Sequence, residues 1–193
     1  LGGDIYKLVA SSNNTAVNIL CTNSKREQKN DIDVLIPRAG ASVNVSIGPA
    51  DNCIITAKSS ILLVQFAPLD SATIMVTIPA THQYLNTHWF TTVYAGNVQF
   101  KHYMKVFVSH KDFNPSQIRL DGEAIAAAWN DILCREGTVC GHVGLVRLTD
   151  GAHVVSHGNQ AASIGAIVYG VSQHESYGYA SSMLLSPLKG KYF

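Results

Sequence analysis

The chain says one thing twice. Ile5-Tyr6-Lys7-Leu8-Val9-Ala10-Ser11 returns as Tyr103-Met104-Lys105-Val106-Phe107-Val108-Ser109. Each copy leads through a polar turn into a second apolar run, Ala16 to Leu20 in one and Ser116 to Leu120 in the other. Ala39-Gly40-Ala41-Ser42-Val43 is echoed by Asp150-Gly151-Ala152-His153-Val154. Each half then closes on an apolar strand ending in an aromatic, Ile61 to Phe66 and Ile164 to Tyr169. An ordered series of such matches predicts a duplicated β unit.

The local pattern agrees. Short runs rich in Val, Ile, Leu and Thr are divided by Asn-Asn, Arg-Ala-Gly and Gly-Pro-Ala-Asp-Asn. Strand–turn punctuation every ~8–12 residues predicts a sandwich or barrel. Val43-Asn44-Val45-Ser46-Ile47 alternates apolar and polar, so Asn44 should face water. The continuous run from Ile61 predicts a strand covered on both faces. Glu123 to Leu133, with its Ala-Ala-Ala-Trp core, is the helix candidate, with Trp129 plugging the core. The expected fold is all-β: two internally duplicated, closely packed sandwich-like units with at most one short helix. The first unit is expected over 1–66, bridging strands or loop over 67–100, and the second unit over 101–193.

With 193 residues, either one large domain or two small ones can bury a core. Charged residues are only 14% and the net charge is +1. That argues against disorder and against a nucleic-acid partner, which wants a basic stripe. No apolar run approaches the ~20 residues of a membrane span. Leu1 is not followed by a basic stretch and an apolar core, so no signal peptide is expected within the chain.

Four cysteines fall as Cys21 with Cys53 and Cys134 with Cys140, one pair in each half. Three pairings are possible, and these two are the simplest. In the chain-entropy model the first would stabilise by roughly 3.7 kcal/mol and the second by roughly 2.4 kcal/mol. Asn13-Asn14-Thr15 and Asn44-Val45-Ser46 are sequons, which makes Asn13 and Asn44 candidate glycan acceptors. Cysteine pairs, sequons and β-rich composition together favour an extracellular protein.

Catalytic signatures with the required spacing are missing: no nucleophile elbow, zincin helix, phosphate loop or dinucleotide fingerprint occurs. His153 and His157 could share a strand face, but acidic or cysteine partners are not near them in sequence. Asp31 and Asp33 are a close acidic pair, too few for a calcium cage. The expectation is no catalytic residue, no metal and no cofactor. The aromatics carry more. Tyr84, Trp89 and Phe90 cluster in the bridge, and exposed Tyr and Trp are common recognition anchors. Tyr84 and Trp89 are therefore the candidate ligand-binding residues. The loops around Asp112 to Pro115 or Lys25 to Asn30 are the fallback, should those rings only fill the seam between halves.

A family resemblance runs through these same blocks. Asp4 to Ala10 with Asn14-Thr15-Ala16-Val17-Asn18, then Ile61 to Phe66, then Pro79-Ala80 with Gln83-Tyr84-Leu85, resemble successive blocks of the IgGFc-binding protein family. Ile118-Arg119-Leu120-Asp121-Gly122 with Trp129 is similar to its "LDG … W" block, and Gly151-Ala152-His153-Val154 to its "G-x-H" block. Ile167-Val168-Tyr169-Gly170 followed by Glu175-Ser176-Tyr177-Gly178-Tyr179 resembles its closing block, with Ala180 where the family usually has Pro. The resemblance implies a secreted or surface-exposed, non-enzymatic binding or adhesion module within a larger mucus, matrix or cell-surface protein. Its partner would be a protein or glycan ligand at an extracellular surface. The competing readings are a lectin-like carbohydrate-binding domain and a hydrolase with an unrecognised site.

Overall fold

The fold was obtained as a computed structural model, which describes residues 3–23, 28–48, 52–68, 72–134 and 137–185. It is all-β, built of four antiparallel sheets packed closely. Seven strands come first: β1 (Asp4–Ala10), β2 (Thr15–Thr22), β3 (Gln28–Ile36), β4 (Ser42–Ile47), β5 (Asn52–Ala57), β6 (Ile61–Pro68) and β7 (Thr73–Thr77). They form sheet A, in the order β4-β1-β6-β7, and sheet B, in the order β3-β2-β5. Nine follow: β8 (Thr87–Thr91), β9 (Lys101–Ser109), β10 (Ile118–Leu120), β11 (Glu123–Ala124), β12 (Ala128–Leu133), β13 (Val139–Leu148), β14 (Ala152–His157), β15 (Ile164–Val171) and β16 (Ser176–Ala180). They form sheet C, β12-β13-β9-β15-β16, and sheet D, β11-β10-β14-β8.

Set side by side, the two strand orders show the duplication. Sheet A reads β4-β1-β6-β7 where sheet C reads β13-β9-β15-β16, and sheet B reads β3-β2-β5 where sheet D reads β11-β10-β14. The corresponding strands occur in the same chain order. Strands β8 and β12 are additions, one on the edge of each sheet of the second unit. Three of the four sequence echoes fall on corresponding strands: β1 with β9, β2 with β10, β6 with β15. The remaining one is out of place. The turn of Ala39-Gly40 enters β4, which pairs with β1. The turn of Asp150-Gly151 enters β14, which pairs with β10. The likeness there is shared turn chemistry, since glycine suits the positive φ that Gly40 and Gly151 both adopt.

Each unit closes on its own core. Leu8, Val17, Ile19, Ile36, Val45 and Ile47 fill the first. Met104, Val106, Ile118, Val155, Ile164 and Val168 are among those filling the second. In both, alternation along the strands supplies the inward side chains. The stretch over 67–100 contributes β7 to sheet A and β8 to sheet D. The units meet where β12 lies against β5 and β2, and where β16 lies against β7. There Gly178 leaves its space to the side chain of Ile74, and a Cβ at that position would collide with it.

Two expectations are corrected. Glu123 to Leu133 is not helical. It forms β11 and β12, and among the described residues the helical turns are short 3-10 turns at Thr81–Gln83, His110–Asp112 and Pro115–Gln117. Helix propensity of an Ala run is a weak prior that packing overrides. Here Trp129 must lie against the second core and meet Phe113 edge-on, with ring centroids 5.2 Å apart. The strand from Ile61 is covered on one face only. Leu62, Val64 and Phe66 point to the outer side of sheet A, in register with Val9, Lys7 and Ile5, and Leu62 is exposed.

Both cysteine pairs bridge neighbouring strands. Cys21 on β2 stands directly opposite Cys53 on β5 and is bonded to it, with Cα atoms 4.1 Å apart. Cys134 and Cys140 close the turn between β12 and β13, with Cα atoms 5.7 Å apart. Cys140 occupies an irregularity in that ladder, between the pairs Ile132–Gly141 and Leu133–Val139.

Candidate binding surface

Strand β8 is the edge of sheet D and pairs only with β14. Its side chains alternate. His88 and Phe90 go inward and are buried, while Trp89 goes outward and is 76% exposed. Trp89 stands opposite Val154, Thr87 opposite Ser156 and Thr91 opposite Ala152. The indole thus rises among the small outward side chains of β8 and β14. Tyr94, five residues on, is also exposed.

The backbone beneath that ring is held from inside. The fully buried His88 donates from Nε2 to the Ile164 carbonyl at 2.7 Å. Its Nδ1 lies 2.8 Å from the hydroxyls of both Ser181 and Ser182. Burial lowers its pKa, against the opposing pull of the Ile164 and Leu85 carbonyls, so the neutral ring is favoured. Tyr179 of β16 donates its hydroxyl to the Thr91 carbonyl, linking sheet C to β8. A serine beside a histidine invites thought of a nucleophile. This ring is sealed from solvent, however, and its second nitrogen meets a backbone carbonyl rather than a carboxylate, so no substrate reaches it.

Tyr84 is differently placed. Its ring lies over Gly165 of β15, where a Cβ would collide with it, and burial pushes the phenol up to about 12. The structure does not bring Tyr84 and Trp89 onto one surface: one packs, the other projects. Of the fallback loops, Asp112 to Pro115 is bound into the fold. Asp112 accepts from Ser109 Oγ at 2.6 Å, and its carbonyl accepts from His157 at 2.9 Å. Lys25 to Asn30 lies outside the residues whose side chains are described.

The buried histidines are held by partners within the fold. Five of the eight, at 88, 102, 142, 153 and 157, are buried, all in the second unit. His102 joins Tyr177 at 2.7 Å to Asp150 at 2.8 Å. His142 lies between Asp131 at 3.0 Å and His110 at 2.9 Å, with its ring stacked on Phe113. His153 and His157 both point inward, but each has its own partners: Asp121 and Thr149 for one, Asp112 and Asn159 for the other. Among the described residues no three potential ligands gather around a metal-sized space. Asp31 and Asp33 both accept from the Asn18 amide, at 2.6 and 2.9 Å.

Sequence reasoning missed these networks because the partners lie far apart in the chain. The available signal was glycine inside a strand, which marks a close approach: Gly170, paired with His102, receives the Tyr177 ring.

Both sequon asparagines are exposed. Asn13 sits in the turn before β2 and accepts from the Ala39 amide at 2.9 Å. Asn44 sits on the outer face of β4 and lines an open concavity of about 360 Å³, with Ile5, Lys7, Phe66, Pro68 and Thr73. Among the described residues no carboxylate, histidine or cysteine lines that concavity.

Comparison with known proteins gives one family. No curated protein and no solved structure matches the chain. A family profile described as "IgGFc binding protein" matches residues 1–170. The match takes in the Leu120-Asp121-Gly122 and Gly151-Ala152-His153 blocks, which the Asp121–His153 contact brings together. It ends before the Glu175 to Tyr179 block. Matched over most of its 193 residues, the chain belongs to the IgGFc-binding protein family.

Proposed function

We propose that the chain is a non-enzymatic extracellular binding module, part of a larger secreted or cell-surface protein of mucus or matrix. It recognises a protein ligand of the Fc type through the outer face of sheet D. The observation that carries this is Trp89, a large apolar ring left in water on an edge strand whose inward neighbours are locked. A pre-positioned tryptophan gives much contact area for little ordering entropy, which is why such rings anchor protein interfaces. The extracellular setting is supported by two disulfides and two exposed sequons. The non-enzymatic reading is supported by the buried histidines, each committed to a structural partner.

A second reading is carbohydrate binding. The hydroxyls of Thr87, Thr91 and Ser156 flank the indole on the same face, and a sugar ring could stack there. Both readings are tested together by probing the secreted chain against an immobilised immunoglobulin Fc fragment, stripped of its glycan and intact, and against a glycan array. Equal binding to both Fc forms supports protein recognition. Binding lost with the glycan, or found on the array alone, moves the assignment to sugar.

A further inference from the structure

We infer that Asn44 carries an N-glycan whose first sugar lies in the concavity beside it and covers Ile5 and Phe66 on the open face of sheet A. The inference rests on the extracellular reading above. It starts from an oddity of the first unit. The outer side of sheet A has no covering layer among the described residues, yet it carries a group of apolar side chains. Ile5, Leu62 and Met75 are 40%, 49% and 62% exposed on it, and Phe66 lies between Ile5 and Met75 in the ladder. Contiguous exposed apolar surface of this kind marks a site that something covers.

The covering group has its attachment point on the same face. Asn44 and Ser46 both point outward from β4, and both are exposed, so the amide and the hydroxyl of the sequon stand on one side of the strand. Among the described residues the Asn44 amide has no hydrogen-bond partner, whereas Asn13 already accepts from Ala39. Transfer needs a polyprenyl-diphosphate-linked oligosaccharide as donor. Asn44 Nδ2 forms a bond to the sugar C1, the C1–O bond to the diphosphate breaks, one amide proton is lost, and the polyprenyl diphosphate leaves.

The geometry then decides where the first sugar goes. Asn44 is itself a wall of the concavity, with Phe66, Ile5 and Pro68 as its apolar walls. A volume of about 360 Å³ lies at the low end for small-ligand sites, a size suited to one or two sugar rings. An N-acetylhexosamine presents an apolar C–H face and an acetamido methyl to such walls. Its hydroxyls and amide can meet Lys7, directly opposite Asn44 in the ladder, and Thr73 at the far side. Ile5 and Phe66 are thereby hidden without a protein partner.

The test uses the whole chain secreted from mammalian cells. Glycopeptide mass spectrometry reads occupancy at Asn44 and at Asn13. An endoglycosidase then trims the glycan to a single sugar. The full, trimmed, Asn44→Gln and Ser46→Ala forms are compared for anilinonaphthalene sulfonate fluorescence and for a nuclear Overhauser contact between the acetamido methyl and the Phe66 ring. Expected are an occupied Asn44, the methyl–Phe66 contact, equally low dye binding by the full and single-sugar forms, and a several-fold rise in both variants. Occupied Asn13 with bare Asn44 overturns this inference and leaves the extracellular reading intact. Occupied Asn44 with no Phe66 contact and no rise in either variant shows that the glycan points away, and also overturns it. Retention in the cell with neither site modified overturns both.

Discussion

The Asp121 carboxylate holds His153. One oxygen accepts from His153 Nδ1 at 2.7 Å, and the other accepts from the Val154 amide at 2.8 Å. The Asp121 amide returns a bond to the Val154 carbonyl at 2.8 Å. A turn after β10 is thus clamped to the start of β14. Burial pushes the Asp121 carboxyl up, but the His153 hydrogen bond, the Val154 amide and the charge of His153 outweigh it, and the pKa falls below 3.8. Asp121 also adopts a positive φ of 53°, which Asn tolerates better than Ala.

Replacing Asp121 should therefore separate two contributions. Asp121→Ala loses both acceptors and strains the backbone, and should cost about 2–3 kcal/mol in urea unfolding. Asp121→Asn keeps the turn and one acceptor, and should cost about 1 kcal/mol. Because the folded pKa is depressed, the clamp contributes fully above the unfolded carboxyl pKa and is lost as the pH falls through the folded one. The Asn variant should lack that acid loss.

His88 predicts a second pH effect, nearer neutrality. Its folded pKa is lowered, so the unfolded chain takes up a proton first as the pH falls through 6.5. The contribution of His88 is whole above that value and is lost as the pH drops toward the folded pKa. One proton limits the slope to about 1.4 kcal/mol per pH unit. His88→Gln, which can still donate and accept, should flatten the stability profile as the pH falls below about 6.5. An unchanged slope would show that the acid loss comes from other groups.

The bridge aromatics should part company. Tyr84→Ala empties the space over Gly165 and should destabilise by about 3 kcal/mol. Trp89→Ala, on an exposed face, should change stability by no more than about 0.5 kcal/mol. Thermal melts of the two variants decide it. If the two lose similar stability, Trp89 is packing rather than anchor.

Much of this fold is written in the central strands. β1 and β9, β2 and β10, β6 and β15 echo one another because each lies between two neighbours and points one face at a core. Such strands allow few substitutions, so the old likeness persists. Edge strands are freer, and β8 and β12 have no counterpart in the first unit. The Glu123 to Leu133 stretch misleads because Ala favours helix locally while Trp129 is needed over the second core. The site was half legible. Trp89 shows as an aromatic among polar residues, but nothing in sequence distinguishes it from Tyr84, because Gly165 lies 81 positions further on. The histidine networks were hidden for the same reason: His102 meets Tyr177 across a separation of 75 residues.

The disulfides predict a further outcome. Peptide mapping without reduction should recover Cys21 with Cys53 and Cys134 with Cys140. The Cys21→Ala, Cys53→Ala double variant should lose roughly 3–4 kcal/mol. A peptide joining Cys21 to Cys134 would contradict separate closure of the two units.

The central claim is that recognition runs through Trp89 on the outer face of sheet D. Its most direct test is the affinity of secreted wild-type and Trp89→Ala chains for an immobilised Fc fragment, with melting temperatures recorded in parallel. The account predicts at least about tenfold weaker binding, equivalent to about 1.4 kcal/mol, at an unchanged melting temperature. Wild-type affinity in a folded Trp89→Ala chain would contradict it.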